Sequence, residues 1–356
     1  MRAGRRRLAG RRQPYRWFAR PASSLLRVDY ALYYASALQG RSAGWHRLYD
    51  LDAQRAVFRS IGPDLWWFPN VYSPALSLLI APLSLLPLHT GYLIWSAILL
   101  ASVLACWHLL APGDAPARAI QFAMFFVPYP VMLGLNMGQV IALQMAALAG
   151  AFVFLQRGRD AAAGVALAVV SLKPQGLILV PLALLAAGKP KLFASWAACM
   201  AAIGAVMLAV IGADGAAAYA QRLLYAQSHP QEFWVNWAYT LPRHFESAWA
   251  RALVQIIVVV AALVAAYRHR RQPGLAIAAG LLGSLLATPF VHLDDFMLLF
   301  PAAWLTLRVV PRAAAALVAG YALLVLCGWS EHIWGRGVLL FESVWLAALA
   351  LAPPQR

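Results

Sequence analysis

The sequence predicts an all-α polytopic membrane protein with about ten transmembrane helices, roughly nine to eleven. Of its 356 residues, 62% belong to the AVILMFWYC set and only 12% are charged. That is about half the charge with which a soluble domain coats its surface. Apolar runs long enough to matter recur from about residue 70 to the C-terminus. The third observation is an excess of 29 Lys+Arg over 13 Asp+Glu. Nine of those Arg, and no acid, fall in residues 1–28, and many of the other bases sit in short loops between apolar runs. The charge therefore reports membrane orientation and contact with anionic lipid rather than nucleic acid, and no nucleic-acid partner is expected.

In chain order, residues 1–28 form an Arg-rich segment without an apolar run, and residues 29–352 form the integral-membrane domain. Candidate spans lie at 71–88, 92–111, 119–134, 139–155, 161–187, 192–211, 252–267, 274–291, 296–310, 313–328 and 337–352. Segment 71–88 carries Pro74, Pro82 and Pro87, so it is kinked or re-entrant. Span 161–187 is too long for one helix and holds Lys173-Pro174 at its middle. It reads as two half-helices meeting there, with the broken backbone lining a cavity. Basic clusters at Arg157/Arg159, Lys189/Lys191, Arg268/Arg270/Arg271 and Arg308/Arg312 face the cytoplasm by the positive-inside rule. The opposite, external face then receives Asn136 to Gln139, Lys173-Pro174, His292 to Asp295 and all the acids except Asp114 and Asp160. Between residues 71 and 134 this orientation requires one candidate span not to cross.

Two external loops are rich in aromatics. Loop 29–69 holds Tyr30, Tyr33, Tyr34, Trp45, Tyr49, Trp66, Trp67 and Phe68; loop 212–250 holds Tyr219, Tyr225, Phe233, Trp234, Trp237, Tyr239, Phe245 and Trp249. The plainer reading is an interfacial belt; the sharper one is a vestibule where sugars stack on aromatic faces. Cys106, Cys199 and Cys327 each sit in an apolar run, as small hydrophobes rather than a disulfide or zinc framework. No phosphate loop, dinucleotide fingerprint, HExxH or GxSxG occurs in the chain, so nucleotide-driven chemistry has no visible apparatus.

Four pieces together resemble glycosyltransferase family 87: Val28-Asp29-Tyr30 with Leu48-Tyr49-Asp50; Val71-Tyr72-Ser73-Pro74; Leu135-Asn136-Met137-Gly138-Gln139 with Ser171-Leu172-Lys173-Pro174; and Thr288-Pro289-Phe290-Val291-His292-Leu293-Asp294-Asp295. The resemblance implies a C-type glycosyltransferase architecture in the cell membrane. Such an enzyme moves a hexose or pentose, mannose foremost, from a polyprenyl-phosphate sugar donor to a lipid or glycan acceptor on the external leaflet, with inversion. It also implies that Asp29 is the general base and that His292 lies near the donor phosphate or the acceptor hydroxyl. Family members carry a first transmembrane helix before the acid. Residues 1–28 hold none, so this segment is expected to be a displaced start or the trace of a lost helix.

Each candidate has a plainer alternative. Asp29 suits a base for an acceptor hydroxyl, or is a solvated carboxylate at a helix start. Lys173, costly between apolar halves, fits a donor phosphate or snorkels to the interface. His292 binds phosphate or orients the base, or is an interfacial histidine. Asp294 and Asp295 serve the substrate or a divalent cation, or cap the next helix. Asn136 and Gln139 bind sugar hydroxyls or satisfy turn backbone. Arg243 reaches a phosphate or stays solvated. No cofactor is called for. The rival functions are a transporter or flippase for lipid-linked saccharides and a non-catalytic scaffold of envelope synthesis.

Overall fold

The structure, a computed structural model, describes residues 28–62, 67, 69–229 and 239–353. The Arg-rich segment up to Arg27, together with Trp66, Phe68, Phe233, Trp234 and Trp237, lies outside the described residues. Among the described residues the chain is helical, without a strand.

Helix α1 (Asp29–Ala43) follows Val28, which is extended. Its face is not a belt on a membrane surface, because Tyr30, Tyr33, Ala35 and Ala37 are all buried in the main core. A chain turn brings α2 (Leu51–Ile61) alongside, where Asp50 caps the backbone N–H groups of Asp52 and Ala53 at 2.9 and 3.1 Å. Ala53, Gln54 and Phe58 face inward, while Arg55 and Arg59 are exposed. Helix α3 (Pro74–Ile80) has only 7 residues, with Ser73 as its N-cap, and Pro82 follows in a turn. The segment expected at 71–88 is thus a short helix and a turn, too short to cross a bilayer.

Helix α4 (Leu88–Leu110) has 23 residues, about 34 Å of helix, enough to cross the hydrocarbon. Helices α5 (Ala115–Phe125) and α6 (Tyr129–Met137) form a pair bent by 68°. Pro128 and Pro130 occupy the break and the first turn, where proline cannot continue a helix from the preceding turn. Helix α7 (Ile141–Gln156) returns. Helix α8 (Asp160–Leu167) tightens into a 3-10 turn at Ala168–Ser171, breaks at Lys173, and resumes as α9 (Leu179–Ala186) after the Pro174–Gly176 turn. Helix α10 (Pro190–Ser228) runs past the span expected at 192–211 into the second loop, kinking at Gly212, where φ is 71°. Then follow α11 (Ala248–Arg268), α12 (Pro273–Ala287), a 3-10 turn at Leu293–Leu298, α13 (Leu299–Val309), α14 (Ala314–Leu326) and α15 (Glu331–Leu351).

Four helices among the described residues are long and apolar enough to cross a membrane, or five if the bent pair counts as one span. Five shorter apolar helices pack among them. The basic loops meet at shared helix ends. Arg308 donates to the carbonyls of Leu109 and Leu110, joining the ends of α13 and α4. Arg268 donates to the carbonyl of Ala352, joining α11 and α15. Cations at helix C-termini meet the negative end of the dipole and the unpaired carbonyls there.

One expected external acid is elsewhere: Glu342 lies halfway along α15 and is buried. The apolar run around it hid its depth, because one acid hardly lowers the hydropathy of a window.

Candidate functional site

At the ends opposite the basic loops, four interruptions in the helical chain converge. They are the start of α1, the turn between α6 and α7, the break between α8 and α9, and the turn after α12. Each is a place where helix cannot continue, and each delivers one or two polar side chains to a common point.

The turn between α6 and α7 closes on Gly138, whose φ of 74° is left-handed, a conformation glycine adopts without a Cβ clash. The Trp95 indole donates to the Gly138 carbonyl at 2.7 Å, and the Tyr92 hydroxyl to the Asn136 carbonyl at 2.8 Å. This clamp sets Gln139, which is buried. At the α8–α9 break, the amide of Gln144 on α7 donates to the freed Lys173 carbonyl at 2.6 Å, so the neighbouring helix repairs the broken span. Gly134 lets the 3-10 turn of Leu293–Leu298 approach, since a Cβ there would stand 2.5 Å from Met297 Sδ and 3.2 Å from Asp294 Cβ.

The side chains then meet. Lys173 Nζ lies 2.6 Å from Asp295 Oδ1 and 3.4 Å from Asp294 Oδ2, with all three residues buried. It also donates to Gln139 Oε1 at 3.3 Å. Its three N–H donors are matched by these three acceptors, two carboxylates and an amide rather than an open space for phosphate. Gln139 Nε2 donates to Asp29 Oδ2, and the Tyr33 hydroxyl donates to Gln139 Oε1 at 3.1 Å. Asp295 Oδ2 accepts from the His292 backbone N–H at 2.8 Å. Asp295 therefore both caps its turn, one of the two readings the sequence left open, and pairs with Lys173, a contact neither reading named.

Two carboxylates thus share one ammonium, and a third, Asp29, is joined to them through the Gln139 amide. Burial, then the neighbouring charge of Asp294, raises the Asp29 carboxyl to a pKa of about 7, while Lys173 and the Gln139 amide pull the other way. An acid poised there is a base at neutral pH. Burial also holds the His292 imidazole below its usual value, against the upward pull of Asp294.

Asp29, Gln139, Lys173, Asp294 and Asp295 are therefore brought together, with His292 at the rim. Asn136 and Arg243 are not part of the network. The side-chain oxygen of Asn136 is buried with no hydrogen-bond partner among the described residues. Arg243, also buried, donates to the carbonyls of Pro289 and Gln227, both at 3.4 Å, and lies over the Phe290 ring. It braces the segment leading to His292. Tyr33 and Tyr72 were not singled out as site residues by the sequence, yet they wall the site, with ring centroids 4.7 Å apart and planes at 88°. Tyr33 had a signal, standing four residues after Asp29 and hence on the same helix face. Tyr72 had none beyond its place in the motif before Pro74.

The family model for glycosyltransferase family 87 matches residues 70–291. No curated protein matches the chain, and no solved structure does.

Proposed function

The chain belongs to glycosyltransferase family 87, which makes it a membrane glycosyltransferase, and we propose that it moves a sugar from a polyprenyl-phosphate donor to a lipid or glycan hydroxyl on the external leaflet, with inversion. The observation that carries this reading is Asp29, held by Gln139 beside a buried Lys173–Asp294–Asp295 group and titrating near neutrality. The site stands at the ends opposite the basic loops, which the positive-inside rule assigns to the external side. A lipid-linked donor is the activated sugar suited to that side, and a C-type architecture in the cell membrane belongs to the same reading.

The chemistry is one displacement. The acceptor oxygen bonds to the anomeric carbon, the bond from that carbon to the phosphate oxygen breaks, and polyprenyl phosphate leaves with the electron pair. The hydroxyl proton passes to Asp29. Nearby carboxylates favour the oxocarbenium character of the transition state. His292 and Arg243 flank the approach at which the donor phosphate arrives, and Lys173 balances the acids from behind. Mannose is the first sugar to try, and no cofactor enters the scheme.

The test is transfer of labelled sugar from polyprenyl-phosphate mannose in membranes, parent against Asp29→Asn. The reading expects transfer to fall by about a hundredfold or more on loss of the base. Transfer undiminished in the Asn variant removes Asp29 as the base. Lipid-linked sugar that crosses the bilayer without being transferred would favour a flippase instead.

A further inference from the structure

We infer that Gln139 is the positioning residue of the Asp29 carboxylate, an amide whose orientation is dictated from behind by Lys173 and Tyr33. The inference rests on the reading of Asp29 as the base. Gln139 Oε1 accepts from the Tyr33 hydroxyl at 3.1 Å and from Lys173 Nζ at 3.3 Å. An ammonium has donors and no acceptor, so the amide nitrogen cannot take that side. The NH2 group is thereby turned to Asp29 Oδ2, the contact the structure shows. Gln139 is 3% exposed, so water has little room to replace either contact. The backbone leading into it is held as firmly, by Trp95 on Gly138 and Tyr92 on Asn136.

Two consequences follow for the base. Oδ2 is committed to the amide, which leaves Oδ1 as the oxygen to receive the acceptor proton. The amide also favours the ionised carboxylate, since an N–H hydrogen bond to a charged oxygen is stronger than one to a neutral carboxyl. Every charged or titratable neighbour enters this balance. Tyr33 comes from the base's own helix, Tyr72 from the segment before α3, Lys173 from the α8–α9 break, and Asp294 and Asp295 from the turn after α12. Of these, Asp294 and Asp295 press Asp29 towards its neutral form, whereas Lys173 and Gln139 press it towards the charged form. A sugar contact at Gln139 is the rival role, and it makes different demands on kinetics.

The experiment measures steady-state transfer against pH in membranes carrying the parent, Gln139→Leu or Gln139→Glu, with melting temperature as the folding check. Gln139→Leu is expected to lower kcat about tenfold with little change in donor KM, and to move the acidic limb of the profile up by about one pH unit. Gln139→Glu keeps an acceptor for Tyr33 and Lys173 but sets a second carboxylate against Asp29. It should move the limb at least as far, and the melting temperature separates a folded variant from an unfolded one. A raised KM with an unmoved limb assigns Gln139 to the sugar and overturns the inference. Lost activity with the limb in place in both variants also overturns it. The Asp29→Asn variant separates the two claims: if it retains transfer, the base reading fails; if it is inactive and the limb does not move, only the role of Gln139 fails.

Discussion

Lys173 shows why a buried cation is retained in an apolar bundle. It joins acids 121 and 122 residues further along the chain, by the hydrogen bond to Asp294 and the 2.6 Å pair with Asp295. The net value of a buried pair is small, but removal of one partner leaves the other uncompensated. Lys173→Met is expected to cost about 3–5 kcal/mol, read as a lower melting temperature in detergent, and addition of Asp295→Asn should restore part of it. Asp29 acts in the other direction. Its carboxyl titrates near 7 in the folded protein against 3.8 as the ordinary value, so between those values the folded state holds a proton that the unfolded state has released. The contribution of this group to stability is full below pH 3.8 and is lost as pH rises through about 7. Asp29→Asn should therefore melt above the parent, by a margin larger at about pH 8 than at about pH 5. A margin that shrinks with pH would contradict the raised carboxyl.

Among the elements, the turns do more for the site than the helices they join. Gly138 sits at φ 74°, and a Cβ there would come 2.9 Å from Tyr30 Cβ and 3.3 Å from Trp95 Cδ1. Gly138→Ala is expected to cost about 1–2 kcal/mol of stability, and to lower transfer further because Gln139 is the next residue. Melting and labelled-sugar transfer on one preparation check both. The broken span was legible, since Lys173-Pro174 interrupts an apolar run that is too long for one helix, and Pro74, Pro82 and Pro87 marked the short α3 segment for the same reason. The length of α10 was not legible. Its apolar and alanine-rich pattern continues past Gly212 into the second loop, and a positive φ leaves no trace in hydropathy. Loop 29–69 was misread in part, because Tyr30, Tyr33 and Tyr49 are buried. A tyrosine packed in a core has the same composition as one on an interface.

On the scale of the whole molecule, the basic loops and the polar site lie at opposite helix ends, which makes sidedness testable. Cysteine placed at the exposed positions Ser42 and Arg270 should divide cleanly. Ser42→Cys is expected to react with an impermeant maleimide in intact cells, and Arg270→Cys only after permeabilisation. The reverse pattern would put the site in the cytoplasm and sink the lipid-linked donor. Five of the eight candidate side chains were legible as neighbours for one reason: a polar residue set where an apolar helix stops has few places to go. Which donor faces which acceptor was not legible, because Lys173 read as a phosphate partner or a snorkelling cation, and neither reading pointed to Asp294 and Asp295. The spacing of that pair along the chain also bears on how the protein is made. A ribosome delivers Lys173 long before its counter-ions emerge, so the α8–α9 hairpin enters the bilayer with a bare cation at its tip. That insertion stays provisional until the turn of Leu293–Leu298 arrives, and a nascent chain stopped short of it should be a preferred substrate for membrane quality-control proteases.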